Sequence, residues 1–324
     1  MLLIRSPYTD PWFNLAAEEY LLKNFSEDFY FQYTDIPSVI VGKHQNTLAE
    51  INYRVVRDKN IRVARRLTGG GTVYHDSGNL NFSFIMNGKE GSLVDFRRFI
   101  IPVNDSLLAL GVNTHIGERN DILIGEKKIS GNAEHVFRQR TLHHGTLLFG
   151  AELGTLRAAI QTAGNYTDKA VKSKRSPVTN ILPHLSVPMS MHDFENYLFH
   201  FISNASGDGK KYAFSDEDLE KIQKLMQERY CTWDWIFAYS PDYSMEKTVR
   251  IEKEEISLNI QVKNGIITSL KMNTTGILKP VLDRIQLSLE GQLLREEVLM
   301  QCLRENLFTE KENQVVINLV PELF

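Results

Sequence analysis

Gly69, Gly70 and Gly71 stand in a row between two segments that read as strands, and no other feature restricts the chain so tightly. On the near side, Arg62-Val63-Ala64-Arg65-Arg66 is a basic strand end. Beyond Gly78, Leu80, Phe82 and Phe84 alternate with Asn79, Asn81 and Ser83, the period of a strand with one apolar face. Consecutive glycines lose much backbone entropy on folding and bring no side chains to pack. A flexible hairpin loop accommodates them. A backbone that lies against a ligand requires them, with Arg65 or Arg66 supplying positive charge beside it.

Around this stretch, short strands alternate with helices. Residues 2–5 read as a strand. Asp10 before Pro11 is a capping and first-turn pair, opening a helix over 12–24 with Trp12, Leu15, Ala16 and Leu22 on its apolar side. Strands at 29–33 and 38–41 are separated by Pro37, and Gly42-Lys43-His44-Gln45-Asn46 is then either a ligand rim or a polar turn. Helices are expected at 47–59, at 95–110 with Pro102 inside, and at 153–163, 190–203 and 215–230. Short strands are expected at 112–117, 121–124, 127–131 and 141–149, and a polar turn at 204–211. This is an α+β pattern with mixed or antiparallel sheets flanked by helices, and not a βαβ nucleotide fold. The chain contains no GxGxxG and no GxxxxGK[ST], so any ATP would be held by another architecture.

A second pattern begins after Ser240-Pro241-Asp242. Ile256, Leu258, Ile260 and Val262 alternate, and Lys263-Asn264-Gly265 turns that strand into 266–272, a hairpin signal. Helices near 278–288 and 292–304 would cover one face of it. The chain of 324 residues is long enough for a large and a small domain, expected at 1–243 and 247–324. With 37 basic and 40 acidic side chains the formal charge is −3, which gives no global reason to expect nucleic acid, although a local basic patch could meet an acidic protein. Cys231 and Cys302 do not make a disulfide framework. No run reaches transmembrane length and the first residues lack a long apolar signal segment, so a cytoplasmic protein with no membrane partner is expected.

The stretch Arg65-Arg66-Leu67-Thr68-Gly69-Gly70-Gly71-Thr72-Val73-Tyr74-His75-Asp76 resembles the lipoate-binding loop of lipoate–protein ligases, of the biotin/lipoate ligase superfamily. Further pieces fit the same family in the same order: Asp10-Pro11-Trp12-Phe13-Asn14-Leu15-Ala16, Arg119-Asn120-Asp121, Lys128-Ile129-Ser130-Gly131-Asn132-Ala133, His143-His144-Gly145-Thr146-Leu147-Leu148 and Val178-Thr179-Asn180. Each piece is weak alone; in sequence they are specific. The resemblance covers most of residues 1–240, and the remainder fits the accessory domain of the two-domain ligases. It implies a biotin/lipoate ligase-like catalytic domain followed by a small α+β accessory domain.

Lys127 and Lys128 point to opposite faces of a strand, so only one can look into a site. The resemblance selects Lys128, the lysine that in these ligases contacts the carboxylate and phosphate oxygens where the adenylate forms. A fixed cation there stabilises charge developing as a carboxylate attacks the α-phosphate. Asp121 is a turn aspartate or, by the resemblance, a carboxylate for Mg2+ near the ATP phosphates, since one carboxylate plus phosphate oxygens is a usual magnesium arrangement. The resemblance also places Arg66, Gly70, Gly71, His75 and Asn79 at the lipoate pocket, and Thr72, Val73, Asn120, Lys128 and Thr179 at the nucleotide. His75 with Asp76 could be an acid–base or metal pair, but no spaced ligand set accompanies them. A hydrogen-bonding role is expected of His75, because a carboxylate is already ionised near neutral pH and needs little base. His143 and His144 receive no role. Val73, Tyr74 and Phe82 are candidates for an apolar tunnel, where each buried methylene is worth roughly 0.8 kcal/mol. Pro177 stands where the family often has arginine, and Ala238 where a W-x-W-x-x-G element ends in glycine.

The reaction this implies is ATP-dependent activation of lipoate to lipoyl-AMP. Transfer to a lysine ε-amine of a lipoyl domain of a 2-oxoacid dehydrogenase complex, or of the glycine-cleavage H protein, follows. An acyltransferase working through a thioester needs a site cysteine, and the chain has none before Cys231. Transfer from a preformed acyl-adenylate and a non-catalytic lipoyl-domain binder are the remaining alternatives.

Overall fold

The computed structural model describes residues 1–324 except 89, 90, 92, 163, 208 and 306–308. Ala163 of the expected 153–163 helix and Asp208 of the expected 204–211 turn therefore lie outside the described residues. The chain divides into two compact units, one of Met1–Lys43, Ile61–Arg157 and Ser173–Thr232, the other of His44–Asn60, Ala158–Lys172 and Trp233–Phe324.

In the first unit the strand Asn79–Asn87 is central to a mixed sheet. It pairs antiparallel with Phe29–Thr34 on one side and Arg140–Leu148 on the other. Leu2–Arg5 runs parallel to Phe29–Thr34, Lys210–Lys211 extends that edge, and Asn132–Phe137 forms the opposite edge. Leu80, Phe82 and Phe84 face a core built with Phe99, Ile100, Val103 and Leu107 of the helix Phe96–Ala109 and with Phe194, Leu198 and Ile202 of Met191–Ala205. The alternating polar residues Asn79, Asn81 and Ser83 are buried as well. The helix Pro11–Asn24 covers that second face, with Asp10 Oδ1 accepting the Trp12 N–H at 2.9 Å as its cap. Its apolar stripe is not its only buried side: Asn14, Glu18 and Glu19 are buried too, because Glu18 meets Tyr33 and Ser83 on the sheet, Asn14 meets Asp35 just beyond it, and Glu19 meets Arg229 and Tyr230. Two smaller three-stranded sheets complete the unit. Ser38–Val41 lies between Arg62–Arg65 and Val73–His75, and Ile122–Ile124 lies between Thr114–Ile116 and Lys127–Ser130.

In the second unit Asn165–Asp168, Tyr243–Ile251, Glu254–Lys263 and Ile266–Asn273 form an antiparallel sheet, covered by Lys279–Leu289, Glu296–Glu305 and Glu310–Leu319. The expected hairpin is present, but the strand Tyr243–Ile251 lies in the stretch where Pro241 suggested only a boundary. Residues 44–60 supply two short helices, Thr47–Glu50 and Tyr53–Asp58, instead of the single helix expected at 47–59. Tyr53 stacks on Phe324 with centroids 4.2 Å apart, and Thr47 N–H donates to Ser240 Oγ at 3.2 Å. These bonds tie an early stretch of sequence to late ones.

The hairpin turn explains Ala238. Asn264 and Gly265 both have positive φ, 50° and 74°, as a tight turn between twisted strands demands. Trp233 lies against Gly265, where a Cβ would run into its ring and stand 2.9 Å from the Ala238 methyl. The bare Cα of Gly265 leaves room for both the Trp233 ring and the Ala238 methyl. Gly265→Ala should lower the unfolding free energy by about 1–3 kcal/mol through strained backbone and overpacking, read from urea denaturation. An unchanged midpoint would contradict this packing.

Candidate functional site

The glycine loop is held from beneath by Arg66. Its Nε donates to Thr68 Oγ1 at 2.8 Å, Nη1 to the Ile40 carbonyl at 3.1 Å, and Nη2 to the Gly69 and Gly71 carbonyls at 2.6 and 2.7 Å. The fully buried Arg65 donates to the Gly42 and Lys43 carbonyls. Gly70 takes φ 86°, and a Cβ on Gly42 would collide with the Gly70 carbonyl, so the two backbone segments touch directly. Of the two arginines that could sit beside the loop, Arg66 bonds it directly, and Arg65 holds the Gly42–Lys43 backbone that packs against it. Thr72 N–H donates to Ser173 Oγ at 2.8 Å, and Val73 begins the strand that follows.

Behind the loop lies a polar cluster on the helix-covered face. Thr68 Oγ1 meets His144 Nε2 at 2.8 Å, and His144 Nδ1 meets the Glu18 carboxylate at 2.9 and 3.1 Å. Tyr33 and Ser83 hydroxyls also donate to Glu18. Burial works to raise the Glu18 pKa, but His144, Ser83 and Tyr33 together hold it below the ordinary carboxylate range. Nearby, His75 Nδ1 meets Asp35 Oδ2 at 2.7 Å, and Asn14 Nδ2 donates to Asp35 Oδ1 at 2.8 Å. Burial raises the Asp35 pKa despite both contacts. The partner of His75 is thus Asp35 and not its neighbour Asp76, which points the other way and accepts the N–H groups of Gly78 and Glu152. His75 Nε2 and Asn79 Oδ1 are buried with no partner among the described residues, while Asn79 Nδ2 donates to Asn81.

Lys128 sits across the unit's third sheet, paired with Leu123, and is half-buried where Lys127 is exposed. Its N–H donates to the Pro177 carbonyl at 2.9 Å and its carbonyl accepts the Thr179 N–H at 3.1 Å. Pro177 contributes here through its carbonyl, so its missing N–H costs this contact nothing. A Cβ on Gly131 would stand 3.2 Å from Lys128 Cε and Nζ, so that glycine makes room for the ammonium. The ammonium has no hydrogen-bond or ion-pair partner among the described residues. Burial lowers its pKa most; Asp121 opposes this, and Arg119 and Arg66 add to it. Asp121 is buried, with Gly117 left bare against its carboxylate, and Asn120 precedes it at φ 57°. Among the described residues no group of three or more His, Cys, Asp or Glu could enclose a metal ion. One carboxylate at Asp121 suits an ion such as Mg2+ that takes its other oxygens from phosphate and water.

The family model for the lipoyl protein ligase A/B catalytic domain matches residues 10–203, which include the glycine loop, the polar cluster behind it, Asp121 and Lys128. The chain belongs to the lipoate–protein ligase family. The model for the bacterial lipoate protein ligase C-terminus matches residues 240–320. Lipoate–protein ligase 1 of Staphylococcus aureus is 39% identical over 267 residues, covering 82% of this chain and 81% of the relative. A putative lipoate protein ligase from T. acidophilum, solved with bound lipoic acid, superposes with a TM-score of 0.62 at 27% identity, covering 72% of this chain and 97% of that one. A lipoate-protein ligase A bound with ATP gives 0.61 at 27% identity, over 72% of this chain and 96% of the other. The α+β fold of mixed sheets and helices is the fold of these ligases.

In this ligase the structure collects Arg66, Gly70, Gly71 and Thr72 in one loop, and Asn120, Asp121, Lys128 and Thr179 around the small sheet. His75 and Asn79 lie in the polar layer between the central sheet and the helix Pro11–Asn24. Sequence reasoning missed Glu18, Tyr33, Asp35, Thr68 and Ser173. The one available signal was a pair of acidic residues, Glu18 and Glu19, inside an otherwise apolar helix. The lowered pKa of Lys128 has a consequence for stability. The unfolded chain binds that proton more tightly, so near pH 7 the fold carries a charged ammonium at a cost that fades as pH rises through the lowered value. Lys128→Met should therefore raise the melting temperature near neutral pH, with the gain shrinking under alkaline conditions. A lower melting temperature at neutral pH would contradict the assigned burial.

Proposed function

We propose that Lys128 is the cation at which this lipoate–protein ligase joins lipoate to ATP. The observation that carries the reading is a half-buried ammonium that feels the Asp121 carboxylate, has no hydrogen-bond or ion-pair partner among the described residues, and is given room by Gly131. A lipoate carboxylate oxygen attacks the α-phosphorus, the bond to the bridging oxygen breaks, and pyrophosphate leaves. An acceptor lysine ε-amine then attacks the carbonyl carbon of lipoyl-AMP, AMP leaves, and the nitrogen gives up a proton. Lys128 bonds the carboxylate and α-phosphate oxygens and stabilises the charge that accumulates between them. Asp121 would hold Mg2+, which neutralises phosphate charge when bound. Asn120, Thr72, Val73 and Thr179 line the nucleotide side, and Arg66, Gly70, Gly71, His75 and Asn79 the lipoate side. His75 Nε2 and Asn79 Oδ1, both unpartnered, supply polar atoms there.

The acceptors are lipoyl domains of 2-oxoacid dehydrogenase complexes or the glycine-cleavage H protein, met in the cytoplasm. No helix of the described residues is long and apolar enough to cross a membrane. A thioester route finds no support: Cys231 Sγ contacts the Gln227 carbonyl at 3.8 Å and Cys302 Sγ the Ser288 carbonyl at 3.2 Å, both outside the residues assigned here.

Pyrophosphate release with lipoate and no acceptor reads the first step alone, and transfer from synthetic lipoyl-AMP reads the second. Lys128→Ala should slow adenylation about a hundredfold to a thousandfold, the usual cost of removing a transition-state charge contact. Lys127→Ala, at an exposed position, should leave it nearly intact. Full pyrophosphate release by folded Lys128→Ala would refute the assignment.

A further inference from the structure

His143 is buried on the aromatic face of the central sheet, one residue from His144 and on the opposite side of the strand. Its ring stacks on Phe99 at 4.9 Å and on Phe82 at 6.3 Å, and meets the edge of Phe96 at 5.6 Å. A histidine packed among phenylalanines reads as core. Its nitrogens say otherwise. Nδ1 meets Oε1 of Glu134, its cross-strand partner, at 2.9 Å, and Nε2 meets Asn132 Oδ1 at 3.3 Å.

The orientation of Asn132 is decided by its other end. Nδ2 donates to the Asn120 carbonyl at 2.9 Å and to Ser130 Oγ at 3.2 Å. A carbonyl only accepts, so the nitrogen of the amide faces Asn120 and the oxygen faces His143. Nε2 therefore carries a hydrogen and donates it. Gly145 keeps the path open: a Cβ there would collide with Asn132 Oδ1 and stand 2.5 Å from Phe82.

The chain of bonds thus runs from Glu134 through His143 and Asn132 to the carbonyl of Asn120. Asn120 has φ 57°, a left-handed conformation that asparagine adopts more readily than most residues but that still needs support. It closes a tight turn, with its N–H donating to the Gly117 carbonyl at 3.2 Å and the Gly117 N–H returning to the Asp121 carbonyl at 2.9 Å. That turn aims the Asp121 carboxylate. We infer that His143 is a positioning residue for this corner, acting through Asn132 on Asn120 to fix Asp121 for Mg2+ and the ATP phosphates. The inference rests on the assignment of Asp121 made above.

Titration calorimetry with ATP and excess Mg2+, in the absence of lipoate, tests it without turnover. Loss of an outer partner of a metal-binding group commonly weakens binding about 10–100-fold, and His143→Phe should do so. His143→Gln, whose amide N–H can replace the one on Nε2, should recover most of the affinity. Asn132→Ala, at a half-buried position, tests the same chain should His143→Phe fail to fold. In adenylation assays each damaging variant should raise KM for ATP and leave KM for lipoate near its original value. If Asp121→Asn also leaves Mg2+·ATP binding unchanged, the Asp121 assignment and this inference fall together. If Asp121→Asn weakens binding while folded His143→Phe and Asn132→Ala do not, the inference alone falls. An equal rise in KM for lipoate, or no rescue by His143→Gln, would make His143 a general core residue and overturn the positioning role.

Discussion

The site depends on the desolvated guanidinium of Arg66. A buried charge is costly unless its donors are satisfied, and a planar fork meets that demand with several acceptors at once. Here carbonyls of the glycine loop and of the strand Ser38–Val41 supply acceptors, together with the Thr68 hydroxyl. The loop consequently has a fixed shape although its glycines pack almost nothing. The same charge is felt by Lys128, whose pKa it helps to lower. A lysine could not replace this arginine without leaving loop carbonyls unpaired, because its compact ammonium lacks the fork's spread of donors.

Two faces of one sheet divide the labour. One face is aromatic and supplies the core, with His143 inserted among Phe82, Phe96 and Phe99. The other carries Asn79, Asn81, Ser83 and His144 under the helix Pro11–Asn24, where Glu18 and Asp35 collect their hydrogen bonds. A buried polar layer of this kind is expensive when incomplete. His75 Nε2 and Asn79 Oδ1 are its open positions among the described residues, on the side proposed for lipoate.

A single extended segment laces the corners together. Ser173 accepts the Thr72 N–H of the glycine loop, Ser176 Oγ accepts from Arg119 at 3.1 Å, and residues 177–179 pair with Lys128. Arginine is absent at 177, but the backbone geometry there serves Lys128 with proline in place.

The sequence alone determined the local events. Asp10-Pro11 starts its helix, Asn264-Gly265 closes its hairpin, the alternation from Leu80 to Phe84 builds the central strand, and Lys128 is separated from the exposed Lys127. Capping, turn geometry and hydrophobic period each act within a few residues, so they can be read without knowing the rest of the fold. Pairing across the chain could not be read in this way. Asp35 and not Asp76 became the partner of His75, Glu18 met His144 across 126 positions, and residues 44–60 joined the unit formed by the C-terminal residues. The polar face of Asn79–Asn87, which by itself suits water, became interior once a helix covered it. Only the tertiary structure decided these matters, because the free energy of a buried polar pair depends on which distant surface removes the water around it.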